Sequence, residues 1–475
     1  MPDTLIAAVD HGGGKKLRSN HLNFIEVVSQ SVGVIAPSGT PGLVIPVVFA
    51  TAGNGTWLAY LFATIALVIV SLQINVFSSR IATPGSLYVY AGHGLGRFAG
   101  VVVGWALLIG YIFTAAAVIE GTISTTLGFF QSVGITLGGL PLFLVLAVGF
   151  AGVAFVLGWR DIRISSRATL IAEFSTLALI LLAIVLWFIH HGSVVDTAQT
   201  SLQGVNPGTL RLGLVLAFFS FVGFEAATVL GVESQQPRKF IPRAVLASVT
   251  VVGILFVIAA YGLTAAFEGN ATSLGQSSAP FAVVAEAFHF PAIGIVISLG
   301  VALSFFTCIL ASLNSAARVL YALAHRGLFH ASAQNTHEKH ASPHIALVVV
   351  TGLALLLALA LLLSGWDILT AYGILGSIAT YGFLLSYGLV TIAAPVYLYR
   401  RKELKPLHVV SAVVAVVLLA VVIFGTVYPV PSWPYNVLPY VFLALVGLGV
   451  AYFLFLRWRS PEQLAQVEAE VLGEA

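Results

Sequence analysis

Residues 210–247, LRLGLVLAFFSFVGFEAATVLGVESQQPRKFIPRAVLA, decide the fold. They read as a membrane helix that starts, breaks at mid-depth and starts again. The apolar run 212–221 is long enough for only half a bilayer. It leads into Ser220, Phe221, Val222, Gly223, Phe224 and Glu225, which put a glycine and a carboxylate at mid-membrane depth. A second apolar run, 226–232, ends at the polar Glu233-Ser234-Gln235-Gln236-Pro237-Arg238-Lys239. A charged side chain at the bilayer centre costs roughly 2.5–3.5 kcal/mol on insertion scales, so a lipid-facing helix would not carry Glu225 there. Irregular backbone at that depth is tolerated only where it is buried in protein or lines a cavity. The stretch therefore reads as half of a binding site inside a membrane. The plainer alternative is a helix kinked by its glycine.

Composition agrees with a membrane location. The chain has 475 residues, 59% hydrophobic and 8% charged, with a mean hydropathy of +1.01. A soluble domain carries about 25% charged residues, so the lipid bilayer is the solvent. Cys308 is the single cysteine, which excludes an internal disulfide. A net charge of +3 requires no nucleic-acid partner. Residues 1–22 are polar and glycine-rich and lack the apolar core of a signal peptide.

A helical span needs about 20 apolar residues. The sequence predicts twelve: 24–50, 56–78, 98–126, 141–158, 164–189, 210–233, 243–267, 291–322, 344–363, 368–398, 408–428 and 435–457. A closed barrel is excluded because these runs lack two-residue alternation. With twelve spans, every one of the 21 Lys and Arg residues except Arg211 falls on the same side. The positive-inside rule then places both termini in the cytoplasm of a multi-pass cell-membrane protein. The first span is also broken, at Pro37-Ser38-Gly39-Thr40-Pro41-Gly42. Proline lacks a donor and glycine is permissive, so the half-helix 24–36 cannot run on into the half-helix 43–50. Each break opens a set of five spans. Interrupted segments at matching places in two halves point to a transporter site built on inverted repeats. The expected organisation is a cytoplasmic tail (1–22), a core of two five-helix repeats (23–190 and 210–398), two additional spans (408–457) and a second cytoplasmic tail (458–475).

Four stretches carry a family resemblance. Ser38-Gly39 resembles a Gly-Ser-Gly turn. Thr83-Pro84-Gly85-Ser86-Leu87-Tyr88-Val89-Tyr90, followed by Gly104-Trp105, resembles a Pro-x-Gly-Gly-x-Tyr-x-Tyr segment. The run from Phe219 to Glu225, with Glu233 and Pro237-Arg238-Lys239-Phe240-Ile241-Pro242-Arg243-Ala244, resembles a sixth helix and the loop after it. Residues 314–329 resemble the end of an eighth helix. Together they resemble the amino acid–polyamine–organocation (APC) permeases over nearly the whole chain. Pro37 stands where the family has the first glycine of the turn, and Thr40-Pro41 where it has an aliphatic-aromatic pair. The resemblance implies an all-α integral membrane protein of the LeuT-like fold, with helices 1 and 6 broken. It also implies alternating access that moves helices one, two, six and seven against the rest, with Phe219 as the aromatic gate.

The chemistry of the breaks can be read without the family. A helix that begins at a break offers free N–H groups and the positive end of its dipole to an anion. The N–H groups of Ser38, Gly39 and Thr40 are thus candidates for a substrate carboxylate. A half-helix that ends at a break offers free carbonyls to an ammonium group. Ala36 closes the first such half-helix, and Ser220, Val222, Gly223 and Phe224 follow the second. Carboxylates within or near spans are Glu26, Glu120, Glu173 and Glu225. Burial disfavours the charged form of a carboxyl, so such a group can load and release a proton. Glu225 and Glu173 are coupling candidates. Glu26 and Glu120 are expected as interfacial or paired structural acids. No cofactor and no metal site is expected. The coupling ion is expected to be the proton. The alternative is sodium, held near Val32–Ile35 by hydroxyls of Ser304 or Thr307, with Thr176 beside Glu173 on the fifth span. Those hydroxyls are equally able to bond carbonyls of their own helix. Five histidines between residues 325 and 344 match no zinc spacing.

These features predict a secondary active transporter of amino acids, not an enzyme, since no catalytic constellation appears. An amine or polyamine transporter, or an exchanger of the same fold, is the alternative. A transporter-like ligand sensor or channel is the alternative from another class.

Overall fold

The computed structural model describes residues 17–160, 162–268, 273–277, 279–337 and 342–459. The segments 1–16 and 460–475 lie outside the described residues, as do Lys339 and His340 of the loop between the eighth and ninth spans. The first half contains α1 (Phe24–Ile35), α2 (Gly39–Ala52), α3 (Thr56–Ser78), α4 (Leu87–Leu95), α5 (Arg97–Ser132), α6 (Leu140–Trp159) and α7 (Ile162–His191). After α8 (Thr197–Thr200) come α9 (Pro207–Phe219), α10 (Pro237–Ala266), α11 (Pro280–Ala287), α12 (Pro291–His325), α13 (His344–Leu363) and α14 (Ile368–Arg400). Helices α15 (Pro406–Val427) and α16 (Leu438–Arg459) follow. No β-strand occurs among the described residues, only an isolated bridge between Leu22 and Ser234.

Ten stretches among the described residues are long and apolar enough to cross a membrane. One runs from Phe24 to Ser78 and contains α1, α2 and α3 with the interruptions between them. Helix α9 has 13 residues and reaches about 20 Å, short of a full crossing. Its start is set by local chemistry. The Asn206 side chain accepts from the N–H groups of Gly208 and Thr209, and Pro207 takes the first helical position, where no N–H is needed. Helix α1 starts the same way. Asn23 and Glu26 form a reciprocal cap, which makes Glu26 a structural acid, as expected.

One expected element takes a different form. Residues 226–232 were to restart an α-helix; Ala226–Leu230 form a 3₁₀ helix instead, between turns. The Ala227 N–H donates to Ser31 Oγ at 2.9 Å, and the Thr228 hydroxyl pairs with that of Ser86. Gly231 lies so close to the Thr83 backbone that a Cβ would come within 2.3 Å of it. These long-range contacts hold the segment in the tighter winding.

Helix α5 is the axis of the fold, packed along α12 and α14. Burial sorts the other helices. The most apolar window of α5 is 83% enclosed by protein, those of α15 and α16 only 22%. The α15 face carrying Val410, Val413 and Val417 is exposed, the expected surface for contact with lipid tails.

Candidate functional site

The first break ends α1 at Ala36, whose backbone is left-handed at φ 50°. The chain turns through Pro37 and Ser38, and α2 begins at Gly39 rather than at residue 43. Pro41 still sits in its first turn, where a missing N–H removes no intrahelical bond. The N–H groups proposed for a substrate carboxylate have protein partners. Ser38 N–H donates to Glu173 Oε2 at 3.0 Å and the Ser38 hydroxyl to the same oxygen at 2.7 Å. Gly39 N–H lies 3.0 Å from both Ala36 O and Ser304 Oγ, and Thr40 N–H donates to Ala36 O. The other carboxyl oxygen of Glu173 accepts from Ser304 Oγ at 2.6 Å and Thr307 Oγ1 at 3.3 Å. Glu173, Ser304 and Thr307 thus meet at the start of α2. Thr307 also bonds its own helix at Ser304 O. Thr176 stays apart: its hydroxyl bonds Ala172 O one turn back.

The arrangement makes Glu173 the built-in acceptor of the first break. Glu173→Ala removes the acceptor of one N–H and three hydroxyls. Each buried donor left unpaired costs about 1–3 kcal/mol, so the variant should melt well below the wild type, and Glu173→Gln, which keeps an acceptor oxygen, less far below it. An unchanged melting temperature for Glu173→Ala would show that the acceptor is dispensable.

The second break carries Glu225, fully buried. Its carboxyl accepts from Tyr111 Oη at 2.6 Å, from α5, and from Tyr387 Oη, from α14. Gly223, at φ +86°, lies against α1: a Cβ there would stand 2.0 Å from Val34 Cγ1. Phe224 packs on the Tyr387 ring at 5.1 Å. Glu120 is the acid that departs from expectation. It is neither interfacial nor paired: it is fully buried in α5, and neither carboxyl oxygen has a hydrogen-bond partner among the described residues. The reason is its place in the interior of α5, the most enclosed helix of the fold.

The two breaks face a common cavity of about 30 Å³. Ala36 and Thr40 from the first break and Phe219, Ser220 and Val222 from the second line it. Ser38, Gly39, Gly223 and Phe224 are not among its lining residues; they hold the breaks in shape behind it. The Phe219 ring closes one wall, edge-on to Tyr372 at 5.6 Å. The lining residues that the sequence did not single out include Thr114 and Val118 of α5, Phe305 and Cys308 of α12, and Tyr372 of α14. They sit in apolar helices with no local mark. Tyr111 and Tyr387 had a weak one, a phenol in the middle of an apolar span.

The amino acid permease family model matches residues 27–464. A branched-chain amino acid permease of Bacillus subtilis (strain 168) is 24% identical over 72% of the chain and 74% of its own length. A gamma-aminobutyric acid permease of Escherichia coli (strain K12) is 26% identical over 73% and 72%. Cationic amino acid transporter 4 of Mus musculus is 26% identical over 71% of the chain and 54% of its own length. The two broken segments, the apolar helices around them and a match that runs from within α1 through α16 agree: the chain is a multi-pass membrane transport protein that belongs to the amino acid permease family of the APC superfamily.

Proposed function

We propose that the chain is a secondary active transporter that moves amino acids across the cell membrane by alternating access, with the proton as coupling ion and no cofactor. The observation that carries the proposal is the meeting of both breaks at one cavity, with Glu225 three residues beyond the lining residue Val222 and held by Tyr111. Twelve crossings in two inverted five-helix repeats are part of this reading. Its support is the pairing of α3 with α10, α5 with α12 and α6 with α13, each joining an element of one half to its counterpart. Both termini are placed in the cytoplasm by the Lys and Arg distribution.

A cavity of about 30 Å³ is far smaller than the roughly 150 Å³ that admits a benzene ring, so an amino acid enters only when the walls part. Phe219 is the proposed gate. Once the α2 start moves away from Ala36 and Ser304, the N–H groups of Gly39 and Thr40 become available to a carboxylate. Protonating Glu225 turns one acceptor oxygen into a donor, which loosens its bond to one phenol and so the hold of α5 or α14 on the second break. Glu173 is placed to do the same at the first break. The relatives named above handle branched-chain, gamma-amino and cationic cargo, which share an amino group and a carboxylate. One observation favours a second reading, amine transport: Glu173 already occupies the Ser38 N–H.

In proteoliposomes, an inward proton gradient is expected to drive accumulation of a labelled amino acid, and a protonophore to abolish it. Glu225→Gln is expected to lose the gradient-driven part and keep exchange with preloaded substrate. Full gradient-driven uptake with an unchanged pH profile in this variant would remove Glu225 from coupling.

A further inference from the structure

Helix α5 has three fully buried threonines, and they behave differently. Thr122 Oγ1 donates to Val118 O at 2.6 Å and Thr125 Oγ1 to Gly121 O at 2.8 Å. Bonding to the carbonyl one turn back is how a threonine satisfies itself in an apolar helix. Thr114 does not do this. It is 3% exposed, and its Oγ1 has no hydrogen-bond partner among the described residues. A buried hydroxyl left unpaired is unfavourable, so such a group calls for an explanation. Thr114 also lines the cavity between the breaks. Two other polar groups of that lining have partners: Ser220 Oγ pairs with Tyr60 Oη at 2.9 Å, and the Cys308 thiol donates to Val34 O.

The rest of the wall restricts what Thr114 can meet. Val118, one turn on, and the rings of Phe219, Phe305 and Tyr372 make it largely apolar, with the hydroxyls of Thr40 and Tyr372 as further polar groups, and no Asp, Glu, Lys or Arg is among the lining residues. A charged side chain would be desolvated there without a counter-charge. An uncharged side chain with one hydroxyl fits. A hydroxyl both donates and accepts, so two hydroxyls satisfy each other.

Resting on the amino acid reading above, we propose that Thr114 is a specificity-determining residue whose hydroxyl pairs with a hydroxyl on the cargo's side chain, which makes small neutral hydroxy amino acids, threonine and serine, the preferred class. Valine is the decisive competitor. It has nearly the shape of threonine with a methyl in place of the hydroxyl, so it fills the same space and leaves Thr114 unpaired. A site built to hydrogen-bond a substrate group rejects the analogue that lacks it.

The test is calorimetric binding of threonine and of valine to the purified full-length protein, with the amine counterparts of both as controls. In the wild type threonine should bind about tenfold more tightly than valine, the ratio carried by one neutral hydrogen bond. Thr114→Val should abolish the ratio without lowering the melting temperature, and Thr114→Ser should retain it. Equal affinities in the wild type, or a ratio that survives Thr114→Val, would overturn the proposal. So would an equal loss for both ligands in Thr114→Val, because the hydroxyl would then be reading the ammonium or carboxylate. Binding of the amines with no binding of either amino acid would instead overturn the amino acid reading itself, and this proposal with it.

Discussion

Arg318→Met is expected to lower the melting temperature of the purified protein more than any exposed charge replacement does. Arg318 Nε lies 2.6 Å and Nη2 3.0 Å from the two carboxyl oxygens of Glu233. The side chains are only 4% and 5% exposed, so neither charge has water to fall back on. Removing one partner of such a pair strands the other and costs about 3–5 kcal/mol. The pair also anchors the segment after the second break to α12. That segment in turn holds the chain ahead of α1: the N–H groups of His21 and Leu22 donate to Glu233 O, and Gln235 N–H to Leu22 O. Replacing both partners, Arg318→Met with Glu233→Met, should recover much of the loss, because an apolar pair strands no charge. Thermal unfolding in detergent checks both variants. A single variant as stable as the wild type would mean that the pair does not hold the segment.

The second large effect is expected at Gly223. Its φ of +86° lies where an L side chain is strained by about 1–2 kcal/mol. The Cβ of an alanine would also meet Val34 Cγ1 at 2.0 Å and Cβ at 2.7 Å. Relieving that overlap costs a further 1–3 kcal/mol or so, the range for overpacked cores. The contact joins the second break directly to α1, so Gly223→Ala should damage uptake as well as stability. Adding Val34→Ala removes the 2.0 Å overlap with Cγ1 and leaves the 2.7 Å approach to Cβ and the backbone strain, so the double variant should recover part of both. Wild-type uptake by Gly223→Ala would show that the two breaks need not approach so closely.

These two sites also mark how far the sequence could be read. The breaks at Ser38–Gly39 and Gly223 were legible because a bilayer imposes long apolar runs, and any interruption stands out against them. The spans 141–158 and 344–363 were placed within a residue or so of α6 and α13 for the same reason. The start of α9 at Pro207 lay ahead of the predicted 210 because Asn206 and Pro207 set it, not the apolar run. The 3₁₀ form of Ala226–Leu230 was not legible, since Ser31, Thr83 and Ser86 impose it from elsewhere in the chain. Glu225 announced itself as an acid in an apolar span, but its partners are Tyr111 and Tyr387, on helices far away in sequence. Glu173 was equally visible as a residue. That it holds the start of α2 depends on how α7 sits against the first break, which no local pattern encodes.

The most direct measurement is thermal stabilisation of the purified protein by neutral α-amino acids, by their methyl esters and by the amines that lack the carboxylate. A ligand at 100 times its dissociation constant adds about 2.7 kcal/mol to apparent stability. Two breaks that together read an amino group and a carboxylate predict stabilisation by the free amino acid that is lost on esterification and absent with the amine. Stabilisation by the amines alone would contradict this. It would mean that Glu173 keeps the first break for itself and that the cargo is read only by its positive end.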